Sequence, residues 1–533
     1  MVQSYKESPD TDSQLETAKE DVNTSQSLNE RVTILEHKQK EENKSRVIDP
    51  VLALPQVNLR SKYDTAPIYN QDEAMLIMRK NYETEISNRG IKPIPMPRIE
   101  IGGNIVGLGM NNIGPNADPV NGATQTDVQL SGANLNVTSE ILQSVMGALR
   151  ISYNPNAPFR FNEQYVVTRV ENSNIYLNTG FVTFGDLSQF PVYLSLGQMF
   201  LPFGEYGSSM ATAILPARLG RFRERPIVLG FKEPGTDSGW DFQAFAFRGD
   251  TRVGAITEVK DNADPNKIKI IGKGGKQSVI DNGGINLGYK GKGNGINFAA
   301  GFSYVLNIAD SGGMQNAGTS TIVTNGGEQI DNNFLDDEDL EEIYYDPTPP
   351  IVVENTFAGF GATRNFLQHG VPAVDFRGRL GFDRLPISFM GEYVSTTRSF
   401  AAENLSYNTN YEELIGKLGA PLTLDDLQYL NGARPSSWHF EGTYKFNLWD
   451  VPSALTIGGG QSKEVMALNI PASMVGGTLR LNFQKWVSLA INYVYTRAYP
   501  YNAFGTGELQ ESTTDKFAGT NQKMFSGQVT ARF

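Results

Sequence analysis

Four arginines lie close together near the middle of the chain, at Arg218, Arg221, Arg223 and Arg225. A guanidinium stays charged at ordinary pH and can bind one carboxylate or phosphate through two parallel hydrogen bonds. If these side chains face an enclosed aqueous space, the cluster predicts a constriction that binds and selects anions. An alternative stays open, because the last three alternate in step with the apolar residues after Pro226 and would then share their outward face.

A second set of arginines lies on the polar faces of predicted strands, opposite the apolar residues of the same strands. The set is Arg150, Arg377, Arg379, Arg480 and Arg532. Inside a water-filled pore such side chains attract anions and repel cations. They outnumber Glu392 and Glu441, the acidic residues on equivalent faces, which favours anion selectivity over an ordinary charged lining. Both sets of arginines are therefore candidate ligand-binding residues.

The residue types that usually carry catalysis give little indication of an enzyme. His37, His369 and His439 are the only histidines, and the chain has no cysteine. Their spacing pairs no nucleophile with a base, and His439 shares a strand face with Glu441, where lining a lumen is the simpler interpretation. The glycine-rich stretch 272–276 lacks the spacing of a phosphate-binding loop. We therefore expect neither an enzyme nor a bound cofactor or metal.

An acidic run at 336–342, followed by Asp346, lies in the longest predicted connection of the chain. It lacks the alternating ligands and the central glycine of a calcium-binding loop. A solvated acidic loop is therefore preferred over a calcium site. Such a loop would repel an anionic ligand, which counts against anion binding at this end of the molecule.

The elements that must position these residues are strands, and the last one shows the pattern most clearly. Between Lys523 and Phe533, apolar or small residues alternate with Ser526, Gln528 and Thr530. Successive side chains of a strand point to opposite faces, so one face is apolar and the other polar. A terminal strand of about ten residues that ends on an aromatic residue is typical of an outer-membrane barrel. Because no run of about 18 apolar residues provides a transmembrane helix, a closed barrel is the remaining way to span a membrane.

This alternation predicts sixteen strands. They are 98–108, 127–137, 145–153, 175–185, 191–201, 226–232, 240–249, 284–291, 295–306, 373–383, 386–397, 437–447, 453–463, 473–485, 487–498 and 523–533. Long and short connections alternate between them, as in barrels with long outer loops and short periplasmic turns. We predict an all-β fold, a 16-stranded antiparallel transmembrane β-barrel over 98–533, with both chain ends on the periplasmic side of the bacterial outer membrane. Export there requires a signal peptide, which we expect to have been removed.

The membrane also suggests partners. The bilayer is the first, and lipopolysaccharide phosphates are the second if the arginines at 221–225 point outward. The net charge of −12 argues against nucleic acid.

The segment before the barrel has a different character. Residues 1–46 are polar and charged, and Leu28, Val32 and Leu35 follow the spacing of a coiled-coil seam. This pattern predicts an N-terminal helical, coiled-coil extension that would oligomerise through residues 15–39, with a solvated tail as the open alternative. Residues 47–97 form a proline-containing linker, in which apolar residues at helical spacing predict a short amphipathic helix near 71–87. That helix could sit at the periplasmic mouth of the barrel.

Three stretches resemble a known family. They are Tyr193–Gly204 (YLSLGQMFLPFG), Ile227–Phe231 (IVLGF) and Phe245–Asp250 (FAFRGD). Together with the N-terminal coiled-coil segment, they resemble the LbtU-type siderophore porins, the legiobactin-receptor family. The resemblance implies a 16-stranded barrel with a periplasmic helical extension, and uptake of an anionic ferric polycarboxylate siderophore. It brings no set of ligand residues.

Chain length argues against a transporter with a globular plug, since those barrels need 22 strands and an additional domain. Two other functions stay open beside siderophore uptake. One is a general or anion-selective diffusion porin, which the arginines alone would explain. The other is a structural barrel that the coiled coil tethers to the cell envelope.

Overall fold

A computed structural model describes most of the barrel and part of the segment before it. The described residues are 46–47, 56–58, 63, 67, 69–90, 96–113, 124–154, 174–234, 238–249, 256–260, 268–272, 280–315, 321–323, 329–331, 343–345, 354–355, 371–400, 405–407, 431–468, 470–484, 486–499 and 521–533. The predicted coiled coil at 15–39 and the acidic residues at 336–342 and 346 lie outside this set. They stay predictions.

Sixteen strands form a closed antiparallel barrel. They are β1 Arg98–Ile113, β2 Thr124–Leu142, β3 Val145–Asn154, β4 Asn174–Phe184, β5 Val192–Phe200, β6 Ile227–Lys232, β7 Gly239–Phe247, β8 Asn282–Gly293, β9 Ile296–Val305, β10 Ala373–Phe382, β11 Ile387–Thr396, β12 Ser436–Leu448, β13 Val451–Lys463, β14 Ser473–Gln484, β15 Val487–Arg497 and β16 Asn521–Arg532. Each strand pairs with the next, and β16 pairs with β1 to close the ring. All sixteen predicted strands are confirmed.

The described helices are short. They are α1 Gln71–Asn88, α2 Leu215–Gly220 and α3 Gly312–Gln315, with 3-10 turns at Ile308–Asp310 and Met466–Leu468. Short strands outside the ring include Gln56–Asn58, which pairs in parallel with the start of β1, and Arg223–Glu224, which pairs with the end of β5. Others lie at Arg46–Val47, Ile256–Lys260, Ile268–Gly272, Thr321–Val323, Gln329–Asp331, Ile343–Tyr345, Glu354–Asn355, Ser406–Tyr407 and Asn431–Gly432. Among the described residues, no helix has the length and apolar character to cross a membrane.

One end of the barrel carries short turns and the other carries long connections; we call them the short-turn end and the long-loop end. The link between β8 and β9 is the pair Asn294 and Gly295, both with positive φ (53° and 78°). This Asn-Gly pair suits the tight hairpin turn whose twist matches that of the flanking strands. The turn between β12 and β13 is similar, with Trp449 and Asp450 at φ 48° and 62°. Trp449 is 86% exposed beside this turn.

The two faces of the barrel wall differ sharply. Large apolar side chains are exposed on the outside, among them Phe440, Ile457 and Phe525. Polar residues at alternate positions point inward and are buried. In β7, Phe242 is exposed outside whereas Phe245 is buried inside. The strand therefore carries an aromatic residue on each face, because its inner face packs against other parts of the chain instead of water.

The main apolar core lies inside the barrel. Phe203, Leu215 and Phe222 are at most 1% exposed, and all three belong to the connection between β5 and β6. We call this connection, residues 201–226, the lumenal loop. Met75 and Leu76 of α1 are equally buried. The predicted barrel has no globular plug, but segments of the chain fill much of its interior.

Candidate functional site

The lumenal loop is held against the far wall of the barrel by buried acceptors. Glu392 of β11 accepts hydrogen bonds from the backbone nitrogens of Glu205 (2.8 Å) and Tyr206 (2.9 Å). Glu441 of β12 accepts from the Ser208 hydroxyl (2.5 Å) and from the backbone nitrogen of Ser209 (2.8 Å). The two glutamates that were predicted to balance lumenal arginines thus anchor the loop.

The same loop continues to β14 and β15. The backbone nitrogen of Ala211 donates to Thr478 Oγ1 at 3.0 Å, and Asn492 Nδ2 donates to Thr212 Oγ1 at 2.9 Å. A single connection therefore crosses the interior and contacts strands that lie far from it in sequence. It divides the lumen into a part toward the long-loop end and a part toward the short-turn end.

Arg377 and Arg379 of β10 both contact the lumenal loop. Arg377 is buried and donates to Asp375 Oδ1 at 2.7 Å and to Ser303 Oγ at 2.8 Å. Arg379 is 42% exposed; it donates to the Gly207 carbonyl at 2.9 Å and lies 3.4 Å from Glu205 Oε1. Arg377 thus makes its hydrogen bonds within the wall, whereas the side chain of Arg379 is partly exposed to the lumen.

Of the other wall arginines, Arg480 and Arg532 lie near each other on β14 and β16, and Arg150 lies on β3. Arg150 is buried and its Nε donates to Asn136 Oδ1 at 2.8 Å. Arg480 Nη2 donates to the backbone carbonyl of Ser209, in the lumenal loop, at 3.4 Å. Arg532 is exposed at the end of β16. These three do not form one cluster with Arg377, so the wall arginines make no single site.

The loop arginines separate into two pairs. Arg218 and Arg221 border a cavity of about 370 Å³ at the long-loop end, together with Tyr69 and Tyr206; we call it the loop-side cavity. Burial lowers the pKa of the Arg218 guanidinium, and no carboxylate among the described residues offsets this. An anion in the cavity would provide the missing compensation.

Arg223 and Arg225 lie closer to the rim. The Arg223 guanidinium lies 5.3 Å from the centre of the Tyr176 ring, and its Nη1 is 3.4 Å from Asn178 Oδ1. Arg225 Nε is 3.5 Å from Gln198 Oε1. Both side chains are exposed. The four arginines of the sequence cluster therefore do not converge on one point.

Three lysines share the interior with these arginines, and none of them was predicted as a ligand-binding residue. Lys290, Lys292 and Lys445 border a cavity of about 520 Å³ at the short-turn end, beside Arg379; we call it the wall cavity. All three lysines are exposed and have no ion pair in the described part of the chain. Strand alternation could have found them, because Lys290 and Lys292 follow the inward-facing Asn286 in β8 at even spacing.

The segment before the barrel also enters the lumen, which sequence reasoning did not anticipate. Arg79 of α1 is 1% exposed; its Nη2 donates to the Gly185 carbonyl at 2.9 Å and lies 3.8 Å from Asp186 Oδ1. The Tyr63 hydroxyl donates to Glu140 Oε1 at 2.5 Å. The residues predicted as a helix near the barrel mouth are thus seated inside the short-turn end.

Glu73, in the first turn of α1, occupies a buried polar site. Gln243 Nε2 donates to Glu73, and Lys232 Nζ lies 3.7 Å from Glu73 Oε1. Burial, and next the negative charge of Asp241, raise the pKa of the Glu73 carboxyl to about 7, while Lys232 acts in the opposite direction. Burial likewise raises the pKa of the neighbouring Asp72. Protonation of these carboxyls would remove buried negative charge between helix and wall.

His439 and Glu441 lie side by side in β12, as their shared face predicted. His439 Nε2 is 3.2 Å from Glu441 Oε2, and both side chains are buried. Glu441 also accepts hydrogen bonds from Ser208 and Ser209 of the lumenal loop. The His439–Glu441 pair therefore anchors this loop to the wall. Among the described residues, no cluster of histidines and carboxylates has the arrangement of a metal site.

Comparison with known proteins finds relatives in two bacteria. No protein-family model matches it. It is 26% identical over 469 residues to a UPF0422 protein of Legionella pneumophila (strain Lens), covering 86% of this chain and 71% of that protein. It is 24% identical over 444 residues to a UPF0422 protein of Coxiella burnetii (strain RSA 493 / Nine Mile phase I), covering 83% and 73%.

The chain is similar to UPF0422 proteins. Another relative, from Legionella pneumophila (strain Paris), is 26% identical, and the match spans 57% of its length. Among solved structures, the anion-selective porin from Comamonas acidovorans has a TM-score of 0.42 at 9% identity, covering 82% of this chain and 100% of that one. The outer membrane channel DcaP of Acinetobacter baumannii has a TM-score of 0.41 at 10% identity, covering 83% and 99%.

Proposed function

We propose that this protein is an outer-membrane channel that admits small anions. The closed ring of sixteen strands satisfies its own backbone hydrogen bonds, and its outward side chains are apolar, as a lipid environment requires. The short-turn end would then face the periplasm, and the N-terminal segment would enter the barrel from that side.

One observation carries the preference for anions. Lys290, Lys292, Arg379 and Lys445 border the wall cavity; Glu441 is the one carboxylate among its described lining residues, and Glu205 lies 3.4 Å from Arg379. Glu441 already accepts two hydrogen bonds from the lumenal loop. The cavity therefore holds an excess of positive charge in a confined space, where it attracts anions and repels cations.

The ligand we favour is a ferric complex of a polycarboxylate siderophore. Such a complex is anionic and displays carboxylate oxygens, which guanidinium and ammonium groups bind well. The resemblance to the LbtU-type siderophore porins supports this narrower proposal. An anion channel without a dedicated ligand is the second candidate, since the lysines alone would account for it.

Reversal potentials across a planar bilayer with a KCl gradient test the channel. The wild-type protein should prefer chloride, and the triple variant Lys290→Gln, Lys292→Gln, Lys445→Gln should lower the chloride-to-potassium permeability ratio by about threefold or more. Lys463→Gln, which removes a charge at the long-loop rim, serves as the control and should leave the ratio unchanged. A wild-type channel that prefers potassium would overturn the proposal.

Ferric citrate then distinguishes the two candidates. Block of the single-channel current at micromolar ferric citrate, with no block by citrate alone, supports a siderophore-type ligand. Current that both compounds leave untouched, with the chloride preference intact, supports the general anion channel.

A further inference from the structure

We infer that Tyr69 closes the passage through this channel and that α1 holds it in the closed position. The inference rests on the channel function proposed above. Tyr69 belongs to the segment that precedes the barrel, so the chain would carry its own internal gate.

Tyr69 stands between two cavities of the lumen. It borders the loop-side cavity and also a second cavity of about 300 Å³, which we call the helix cavity. The centre of its ring lies 5.3 Å from that of Phe200 and 5.2 Å from that of Tyr206, with edge-on geometry in both cases. Strand β5, the lumenal loop and the N-terminal segment thus each contribute one aromatic ring to the same contact.

Positive charge lies on both sides of this aromatic contact. On the loop side are Arg218 and Arg221, and the Arg221 guanidinium lies 5.8 Å from the centre of the Phe200 ring and beside Tyr69. On the other side, Arg377, Arg379 and Lys290 border the helix cavity, together with the carboxylates of Glu73, Glu205 and Asp241. Tyr69 borders both cavities and therefore lies where an anion moving from one to the other would meet it.

The position of Tyr69 depends on α1, which begins two residues later. The link between them is Asn70, whose backbone is in the left-handed region (φ 50°, ψ 40°) and whose side chain makes no capping hydrogen bond. Asp72 lies beside Ser195 of β5, and Thr179 Oγ1 donates to Gln71 Oε1 at 3.5 Å. These contacts fix the first turn of α1 to the barrel wall.

The attachment of α1 is separable from the barrel itself. No strand of the ring pairs with α1, and its contacts to the wall are made by side chains such as Arg79 and Glu73. The ring is closed by β1 and β16 without the helix. The helix could therefore leave the wall and draw Tyr69 away while all sixteen strands stay paired, which is what a gate requires.

A disulfide between α1 and the wall tests the inference directly, because the natural chain has no cysteine. Asp72→Cys on α1 with Ser195→Cys on β5 puts one thiol on the helix and one on the wall beside it, and mass spectrometry before each recording establishes that the disulfide has formed. Single-channel conductance would be measured before and after reduction. We expect the oxidised channel to conduct at least about twofold less than the reduced one, because the gate cannot move. If the first pair does not fold, Gln71→Cys with Thr179→Cys, joined by a cleavable bifunctional thiol reagent that spans the gap left by the glutamine side chain, provides a second test.

Tyr69 itself is tested in the same recordings. Tyr69→Ala should raise the conductance and make it insensitive to the disulfide, whereas Tyr69→Phe, which keeps the ring, should conduct like wild type. Equal conductance of the oxidised and reduced proteins, or wild-type conductance of Tyr69→Ala, would overturn the gate. The chloride preference, read from the reversal potential of the same channels, reports on the proposed function separately. A failure of the gate would appear in the conductance, and a failure of the proposed anion channel would appear in the reversal potential, so the two can be told apart.

Discussion

Glu73 of α1 and Lys232 at the end of β6 face each other across the short-turn end, with 3.7 Å between Glu73 Oε1 and Lys232 Nζ. The same Lys232 Nζ lies 3.4 Å from Asp241 Oδ1. One ammonium group thus serves two carboxylates in a largely buried site. A third acid, Asp72, lies next to Glu73 in the helix and is also buried.

The first prediction is that acid closes the channel. The pKa of Glu73 is about 7 when the helix is docked, against 4.5 for a free side chain. The docked state therefore binds the proton more tightly, and docking strengthens as the pH falls from above 7 toward 4.5, by up to roughly 3 kcal/mol. The charges that face Glu73 are Lys232, Lys290, Asp241 and Asp72. Conductance at pH 5 should be lower than at pH 8.

Two variants distinguish the contribution of Glu73 to the pH response from that of other acidic residues. Glu73→Gln imitates the protonated form, so its conductance should be low at both pH values. Glu85→Gln changes an acid of the same helix whose side chain is 60% exposed, and it should keep the wild-type pH response. A pH response that survives in Glu73→Gln would assign the effect to another group.

The second prediction concerns Arg218. Its guanidinium lies in the loop-side cavity, and burial lowers its pKa without a compensating carboxylate among the described residues. Arg218→Gln should weaken block by ferric citrate about tenfold, the loss expected for a charge-assisted hydrogen bond. It should not lower the unfolding midpoint in urea, because it removes a half-buried charge that no carboxylate among the described residues offsets. Arg225→Gln at the rim is the control and should leave the block unchanged.

The third prediction concerns the anchor of the lumenal loop. Glu392→Ala leaves the backbone nitrogens of Glu205 and Tyr206 without their acceptor, which should cost about 2–4 kcal/mol of unfolding free energy. The released loop should also make the current larger and noisier. Asp383→Ala, in an exposed turn, should change neither urea unfolding nor current. Steady wild-type current from Glu392→Ala would mean that the loop keeps its place without this anchor.

The strands were predictable from the sequence, whereas the contents of the barrel were not. Alternation depends on neighbouring residues, so the inward face of Glu441 and the outward face of Phe440 could be read directly. The bond between Gln243 and Glu73 joins residues 170 positions apart, and no local pattern encodes it. Alternation placed Glu392 inside but could not show that a loop would sit on it.

The arginines also show that alternation along a strand gives the face of a side chain but not its partners. Arg377 and Arg379 were rightly placed on the polar face of β10, yet Arg377 is occupied by Asp375, two residues earlier on that face. This neighbour was visible in the sequence and would have argued against a free charge. Arg218 and Arg221 needed the path of the lumenal loop, which depends on contacts to several distant strands.

The fourth prediction tests whether the outer face meets lipid. Ile457 lies in the middle of β13, is 61% exposed, and has glycines at both paired positions, Gly442 and Gly477. Ile457→Lys should destabilise the barrel in a bilayer by about 2–4 kcal/mol, since a charge there meets hydrocarbon. Val487→Lys, at the first residue of β15 beside a short turn, should cost only about 0–1 kcal/mol because it reaches the interface. Urea unfolding in phospholipid vesicles measures both, and the comparison is decisive because each variant introduces the same charge. Equal costs would place the outer face in water, where an exposed lysine is harmless at either depth.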